Sequence, residues 1–101
     1  MKQTESKVLG FDFVNDIGEE DTIASAVWTV TVIRGTDSNP SNLLQGPPRL
    51  VTPNGSTLQT ATVQQIGSVL PDVTYALEAL ATTTLGEVVS LYSHVRGENV
   101  Q

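Results

Sequence analysis

Apolar residues recur at every second position around the only tryptophan of the chain. They are Ala24, Ala26, Trp28, Val30 and Val32, and they alternate with Ser25, Val27, Thr29 and Thr31. A period of two over this length predicts a β-strand with one buried face. Because Trp28 falls on that face among apolar neighbours, we expect it to fill the core rather than to bind a ligand.

The C-terminal third predicts a β-hairpin. Apolar residues alternate from Val73 to Thr83, where Leu80 breaks the pattern, and alternate again from Glu87 to Val95. A short loop that contains Gly86 separates the two runs, which is typical of two paired strands. The Ala and Leu content of residues 70–85 would also suit a helix, so a helix remains an alternative there.

The other strand signals are weaker, and turn residues separate them. They cover Val8–Val14, Arg49–Thr52 and Leu58–Ile66, with turns at Pro53–Gly55 and Val69–Asp72. No segment has a convincing helical period. Six or seven short strands without a long helix predict an all-β fold, a two-sheet sandwich of about seven antiparallel strands.

Residues 34–48, RGTDSNPSNLLQGPP, form a long polar segment that exceeds the usual connection length. Leu43 and Leu44 lie within it. They could cover the end of their own domain, but we predict that they contact a neighbouring chain. The domain organisation expected is a flexible or partner-bound arm at 1–7, the sandwich at 8–97 and a tail at 98–101.

Composition narrows the classes of function. The chain has 101 residues, no cysteine, and eleven acidic against five basic residues, which gives a net charge of -6. Cysteine chemistry is therefore excluded. The scattered basic residues form no stripe for nucleic-acid phosphates, so no nucleic-acid partner is expected. No signal peptide or membrane-spanning run is evident, so a soluble cytoplasmic product without membrane contact is expected.

No catalytic or metal-binding constellation is apparent, and neither an enzyme nor a cofactor is expected. The single histidine, His94, lies on a predicted strand with no motif that pairs it with a nucleophile. Five carboxylates lie close together in sequence: Asp12, Asp16, Glu19, Glu20 and Asp21. Their spacing does not match the calcium loop of an EF-hand, so we expect them to face water, with a calcium site as the alternative.

Three motifs together resemble a known family. They are the FDF strand, the DTIASAVWTV strand at Asp21–Val30, and VTYALEALATTTLGEVVSL at Val73–Leu91. Over residues 10–33 and 66–92 the chain is similar to small immunoglobulin-like virion proteins of tailed bacteriophages and prophages. Tyr75, at the start of a late strand, also suits the tyrosine corner of such sandwiches, which would make it a core residue.

The resemblance implies a non-enzymatic structural protein of the head–tail module, at the neck or as a fibre–tail adaptor, or else a capsid decoration protein. Its implied partners are portal, neck, tail, fibre or major capsid proteins, bound by many copies in a symmetric assembly. Its implied location is the virion, after synthesis in the host cytoplasm. A carbohydrate-binding module is the alternative, but the few aromatic residues mostly suit a core.

Overall fold

A computed structural model of the protein describes residues 1–98, which contain six β-strands and one short 3₁₀ helix at Pro40–Leu43. The strands are β1 (Ser6–Asp12), β2 (Ile23–Arg34), β3 (Arg49–Val51), β4 (Ala61–Gly67), β5 (Thr74–Thr83) and β6 (Val88–Arg96). They form two antiparallel sheets with the orders β1-β4-β3 and β2-β5-β6. The predicted all-β, two-sheet sandwich is confirmed, with six strands in the described residues instead of about seven.

Strand β5 lies at the centre of its sheet. Its burial pattern distinguishes between the strand and the helix predicted as alternatives for residues 70–85. Tyr75, Leu77, Ala79 and Ala81 are completely buried, whereas Glu78 between them is exposed. This period of two places one face of β5 against the core. The helical alternative is therefore wrong, because a period of two cannot keep these side chains on one side of a helix.

Trp28 joins the two sheets of the sandwich. It is 5% exposed, and its indole N–H donates a hydrogen bond to Thr62 Oγ1 on β4 over 3.1 Å. Its ring centroid lies 5.1 Å from that of Phe11 on β1. Thr62 Oγ1 in turn donates to the carbonyl of Arg49, so the buried polar atoms at this position are paired. The structure thus places Trp28 in the core.

The N-terminal residues are docked on their own domain instead of forming an arm. Ser6 and Lys7 belong to β1, and Met1 packs against the core. The Met1 ammonium donates to the carbonyl of Arg96 over 2.9 Å, and the Glu98 backbone N–H donates to the Met1 carbonyl. The expectation of a flexible or partner-bound arm at 1–7 is corrected accordingly. Of the expected tail, residues 99–101 lie outside the described residues.

Candidate functional site

Four large apolar side chains lie exposed on the side of the β2-β5-β6 sheet that faces away from the core. We call this surface the outer face and define it by Val27, Leu80, Val88 and Tyr92, which are 58%, 41%, 62% and 69% exposed. Val27 lies directly opposite Leu80, and Leu80 lies opposite Ser90. Val88 and Tyr92 are therefore the diagonal neighbours of Leu80, at about 7–8 Å.

The outer face differs from the usual solvent side of an antiparallel sheet, which is polar. Single exposed apolar residues are common on proteins, but a contiguous group marks a surface for interaction. Thr29, Glu78 and Ser90 lie beside the apolar residues in the same strands. The arrangement is thus an apolar patch with a polar surround, spread across all three strands of one sheet.

One end of this sheet is polar. Arg34, Thr74 and Arg96 lie in one row across β2, β5 and β6, and with Ile33 they line a shallow depression of about 320 Å³. His94 lies nearby on the outer side of β6, is exposed, and makes no side-chain hydrogen bond within residues 1–98. The described residues therefore provide no partner that would make His94 a general base.

The acidic loop before β2 is only partly solvated, which corrects the expectation that all five carboxylates face water. Asp21 is 2% exposed, and its Oδ1 accepts hydrogen bonds from the backbone N–H groups of Thr22 and Leu85. Burial opposes ionisation, but these bonds and the hydroxyl of Thr83 outweigh it and lower the pKa of Asp21. Asp21 therefore ties this loop to the turn between β5 and β6.

The remaining acidic residues do not converge on a metal site. Asp12 accepts hydrogen bonds from the Val14 backbone N–H and from Thr60 Oγ1, at 3.0 and 2.8 Å. Asp16, Glu19 and Glu20 are exposed. Within residues 1–98, no three acidic or histidine side chains are grouped closely enough to hold a metal ion.

Tyr75 lies in the core, and its hydroxyl is held on two sides. It accepts a hydrogen bond from the backbone N–H of Leu70 over 3.0 Å and donates one to Asp37 Oδ2 over 2.7 Å. Burial raises the pKa of Tyr75, the Leu70 N–H opposes this, and the Asp37 carboxylate adds to the increase. The neutral hydroxyl thus fixes the segment before β5 and the loop after β2.

Leu43 is not exposed at the surface, which corrects the prediction that it contacts a neighbouring chain. It is completely buried in the core of its own domain. Leu44 is half-buried and packs against the same core, where its backbone pairs with Ile66 of β4. The long loop therefore folds back onto the sandwich, because its two leucines bury apolar area there without a partner.

No family model matches this chain, and no curated protein or solved structure is significantly similar to it. Within residues 1–98, no helix is long and apolar enough to cross a membrane. The residues of the chain itself are therefore the basis for assigning a function, and among them the outer face is the feature that the packing of the domain leaves unexplained.

The signal for the outer face was present in the sequence as departures from alternation. Val27 and Leu80 stand where the pattern calls for polar residues, and Tyr92 shares a face with His94. Each departure alone is unremarkable. Only the register, which brings Val27 opposite Leu80, shows that they form one surface.

Proposed function

We propose that this chain is a non-enzymatic structural protein of a tailed-bacteriophage virion that acts as an assembly adaptor at the neck or tail. It would be made in the host cytoplasm and incorporated in many copies. Its partners would be portal or neck, tail or fibre, or capsid proteins. The observation that carries the proposal is the outer face, an exposed apolar surface on a small sandwich.

We also propose that the sandwich is immunoglobulin-like, and the sheet topology supports this. In such sandwiches the sheets have the strand orders A-B-E-D and C-F-G. In chain order, β1 to β6 would correspond to strands B to G, because β1-β4-β3 matches the order B-E-D and β2-β5-β6 matches the order C-F-G. Trp28 then lies on strand C and Tyr75 at the start of strand F, where immunoglobulin-like domains carry a buried Trp and a tyrosine corner.

The shape of the outer face favours a macromolecular partner. Val27 and Leu80 lie on a sheet surface and not in a deep pocket, so only another extended surface can cover them together. Full burial of one large apolar side chain is worth about 1.5–3 kcal/mol. Several subunits in one ring would add such modest contacts through avidity. An adaptor bound in many copies is therefore consistent with a small patch.

Capsid decoration would use the same surface at another position in the virion. A carbohydrate-binding module has one observation in its favour, the exposed ring of Tyr92. Sugar-binding surfaces generally need aromatic platforms, and the other described aromatic side chains are buried or half-buried. The apolar neighbours of Tyr92 favour a protein partner over a sugar.

Incorporation into particles tests the proposal. We expect purified virions of a phage that encodes this chain to contain it. We expect Val27→Ser/Leu80→Ser to reduce its copy number per particle, as measured by quantitative mass spectrometry. The matched control is Val8→Ser/Leu85→Ser, since Val8 on β1 and Leu85 in the β5–β6 turn are exposed to a similar or greater degree but are not part of the outer face.

Both double variants should keep the thermal midpoint of the wild type, because exposed positions contribute little to stability. A wild-type chain that is absent from purified particles would refute the virion proposal. Equal incorporation of the two variants would refute the role of the outer face. Binding on a glycan array that is lost in Tyr92→Ala would favour the carbohydrate-binding alternative.

A further inference from the structure

The backbone of β6 has unused hydrogen-bonding groups along its outer edge. At the two ends of the hairpin, the Thr83 N–H donates to Glu87 O, and the Gly97 N–H donates to Val73 O. Since inward and outward groups alternate in an antiparallel strand, the odd-numbered residues of β6 face β5. The even-numbered residues direct their N–H and C=O groups outward, and the bond from Met1 to the Arg96 carbonyl agrees with this.

Four consecutive outward positions are therefore free: residues 88, 90, 92 and 94. Within residues 1–98, no backbone hydrogen bond reaches their outer side. The free stretch extends for about 20 Å at 3.3 Å per residue. An edge of this kind is a template for pairing with another strand.

The other edges of the two sheets carry features that discourage such pairing, whereas β6 does not. Strand β2 has two register shifts, and β3 has only three residues. Strand β1 carries Lys7, Gly10 and Asp12. Strand β6 pairs with β5 in unbroken register, has no proline, lysine or acidic residue, and is rich in β-forming residues.

We propose that β6 is a self-association strand, which pairs antiparallel with β6 of a second copy of this chain about a two-fold axis. The two three-stranded sheets would join into one sheet of six strands. This inference depends on the edge of the sheet and not on the proposed function. It holds or fails whether or not the protein is part of a virion.

The free backbone groups select one register. They are centred on Leu91, so the register that pairs free groups only with free groups places Leu91 opposite its own copy. Val88 then lies opposite His94, and Ser90 lies opposite Tyr92. Both sandwich cores remain on the same side of the joined sheet, because opposite residues in an antiparallel pair share a face.

Charge supports a second copy as the occupant, although the chain is acidic overall. Strand β6 contains Arg96 but no acidic residue, so two copies bring no carboxylates together along the strand. In the register centred on Leu91, residue 96 falls opposite residue 86, so the two Arg96 side chains lie at opposite ends of the interface and do not repel each other.

Sedimentation of the whole protein tests the association. We expect a concentration-dependent dimer for the wild type and for Ser90→Ala. Ser90→Pro should weaken the dimer at least about tenfold, since each copy loses one outward N–H donor and the β5–β6 ladder loses none. The thermal midpoint measured for each variant identifies any loss that is due to unfolding.

Cross-linking tests the register, because the natural chain has no cysteine. Leu91→Cys should give a disulfide-linked dimer with oxidised glutathione. The two copies of residue 91 would form a non-hydrogen-bonded antiparallel pair, whose Cα atoms are about 4.5 Å apart. Ser93→Cys is the matched control on the same face of β6. In the proposed register the Cα atoms of its two copies are about 14 Å apart, which is too far for a disulfide.

A wild type that remains monomeric at its solubility limit would overturn the proposal. A dimer that Ser90→Pro leaves unchanged would also overturn it, because its interface would then lie elsewhere. Efficient cross-linking of Ser93→Cys but not of Leu91→Cys would refute the register. If the wild type is monomeric but joins a larger assembly, and Ser90→Pro alone fails to join it, the proposal is overturned in favour of another partner. The strand that pairs with β6 would then belong to another protein.

Discussion

Removal of one oxygen atom from Tyr75 tests how the domain holds its largest loop. Tyr75→Phe keeps the ring in the core but removes the hydroxyl that contacts Leu70 and Asp37. The bond to the charged Asp37 is worth about 1.5–3 kcal/mol and the bond from the neutral N–H about 0.5–1.5 kcal/mol. We therefore expect a loss of roughly 2–4 kcal/mol in the free energy of unfolding.

A loss of this size is easily measured. A domain of this length typically has 5–15 kcal/mol of stability, and about 1 kcal/mol shifts its midpoint by roughly 4–8 °C. Urea unfolding followed by the fluorescence of the single Trp28 gives the free energy, because this side chain is buried and reports on the core. Tyr92→Phe is the matched control, since it makes the same chemical change at an exposed position.

The pH dependence gives an independent readout. Burial and Asp37 raise the pKa of Tyr75 above its ordinary value of about 10, so the folded state retains the proton more tightly than the unfolded state. The stability that Tyr75 contributes is therefore complete below about pH 10 and is lost as the pH rises through the raised pKa. Tyr75→Phe should lose stability less steeply above that pH.

Two results would refute this reasoning. The first is a Tyr75→Phe variant that unfolds within about 0.5 kcal/mol of the wild type, which is the range of an ordinary surface substitution. The second is additivity in a double-mutant cycle with Asp37→Ala. Residues in direct contact should couple by about 0.5–3 kcal/mol, so independent effects would show that the bond contributes nothing.

Further substitutions test the other placements. Trp28→Ala should lower the free energy of unfolding by about 3–5 kcal/mol in urea, and a loss below about 1 kcal/mol would contradict its role between the sheets. Leu43→Ala should cost about 2–5 kcal/mol and the half-buried Leu44→Ala clearly less, whereas equal losses would contradict the burial observed here. Because its pKa is lowered, Asp21 contributes stability above about pH 4 that disappears as the pH falls through the lowered pKa, so the thermal midpoint of Asp21→Asn should approach that of the wild type in acid. Thermal midpoints in EDTA and in calcium should agree, and an upward shift with calcium would identify a metal site.

The strands could be predicted from the sequence because their evidence is local. The alternation around Trp28 and Tyr75 appears within single segments, and β2, β5 and β6 lie where it indicated. The glycine Gly86 has a φ of 96°, a left-handed conformation that favours glycine, and it lies in the turn that joins the two strands of the hairpin, as expected. Local patterns of this kind require no knowledge of which strands are neighbours.

The features that could not be predicted depend on contacts between distant parts of the chain. Asp37 contacts Tyr75 from 38 positions away, and Met1 contacts Arg96 from 95 positions away. Asp21 is buried because the β5–β6 turn folds over it, which its acidic neighbours in sequence do not indicate. Leu43 likewise occupies a space in the core that only the completed sandwich creates.

Departures from local rules carry information once the register is known. A sequence generally agrees with its fold at every level except where function imposes another requirement. Here the outer face departs from alternation, and the neighbouring edge of β6 lacks the usual protection against pairing. Val88 and Tyr92 belong to both features, since they contribute exposed side chains to one and free backbone groups to the other. Pairing of two β6 strands would therefore join two outer faces into one surface, and the apolar area that a single partner could cover would be doubled.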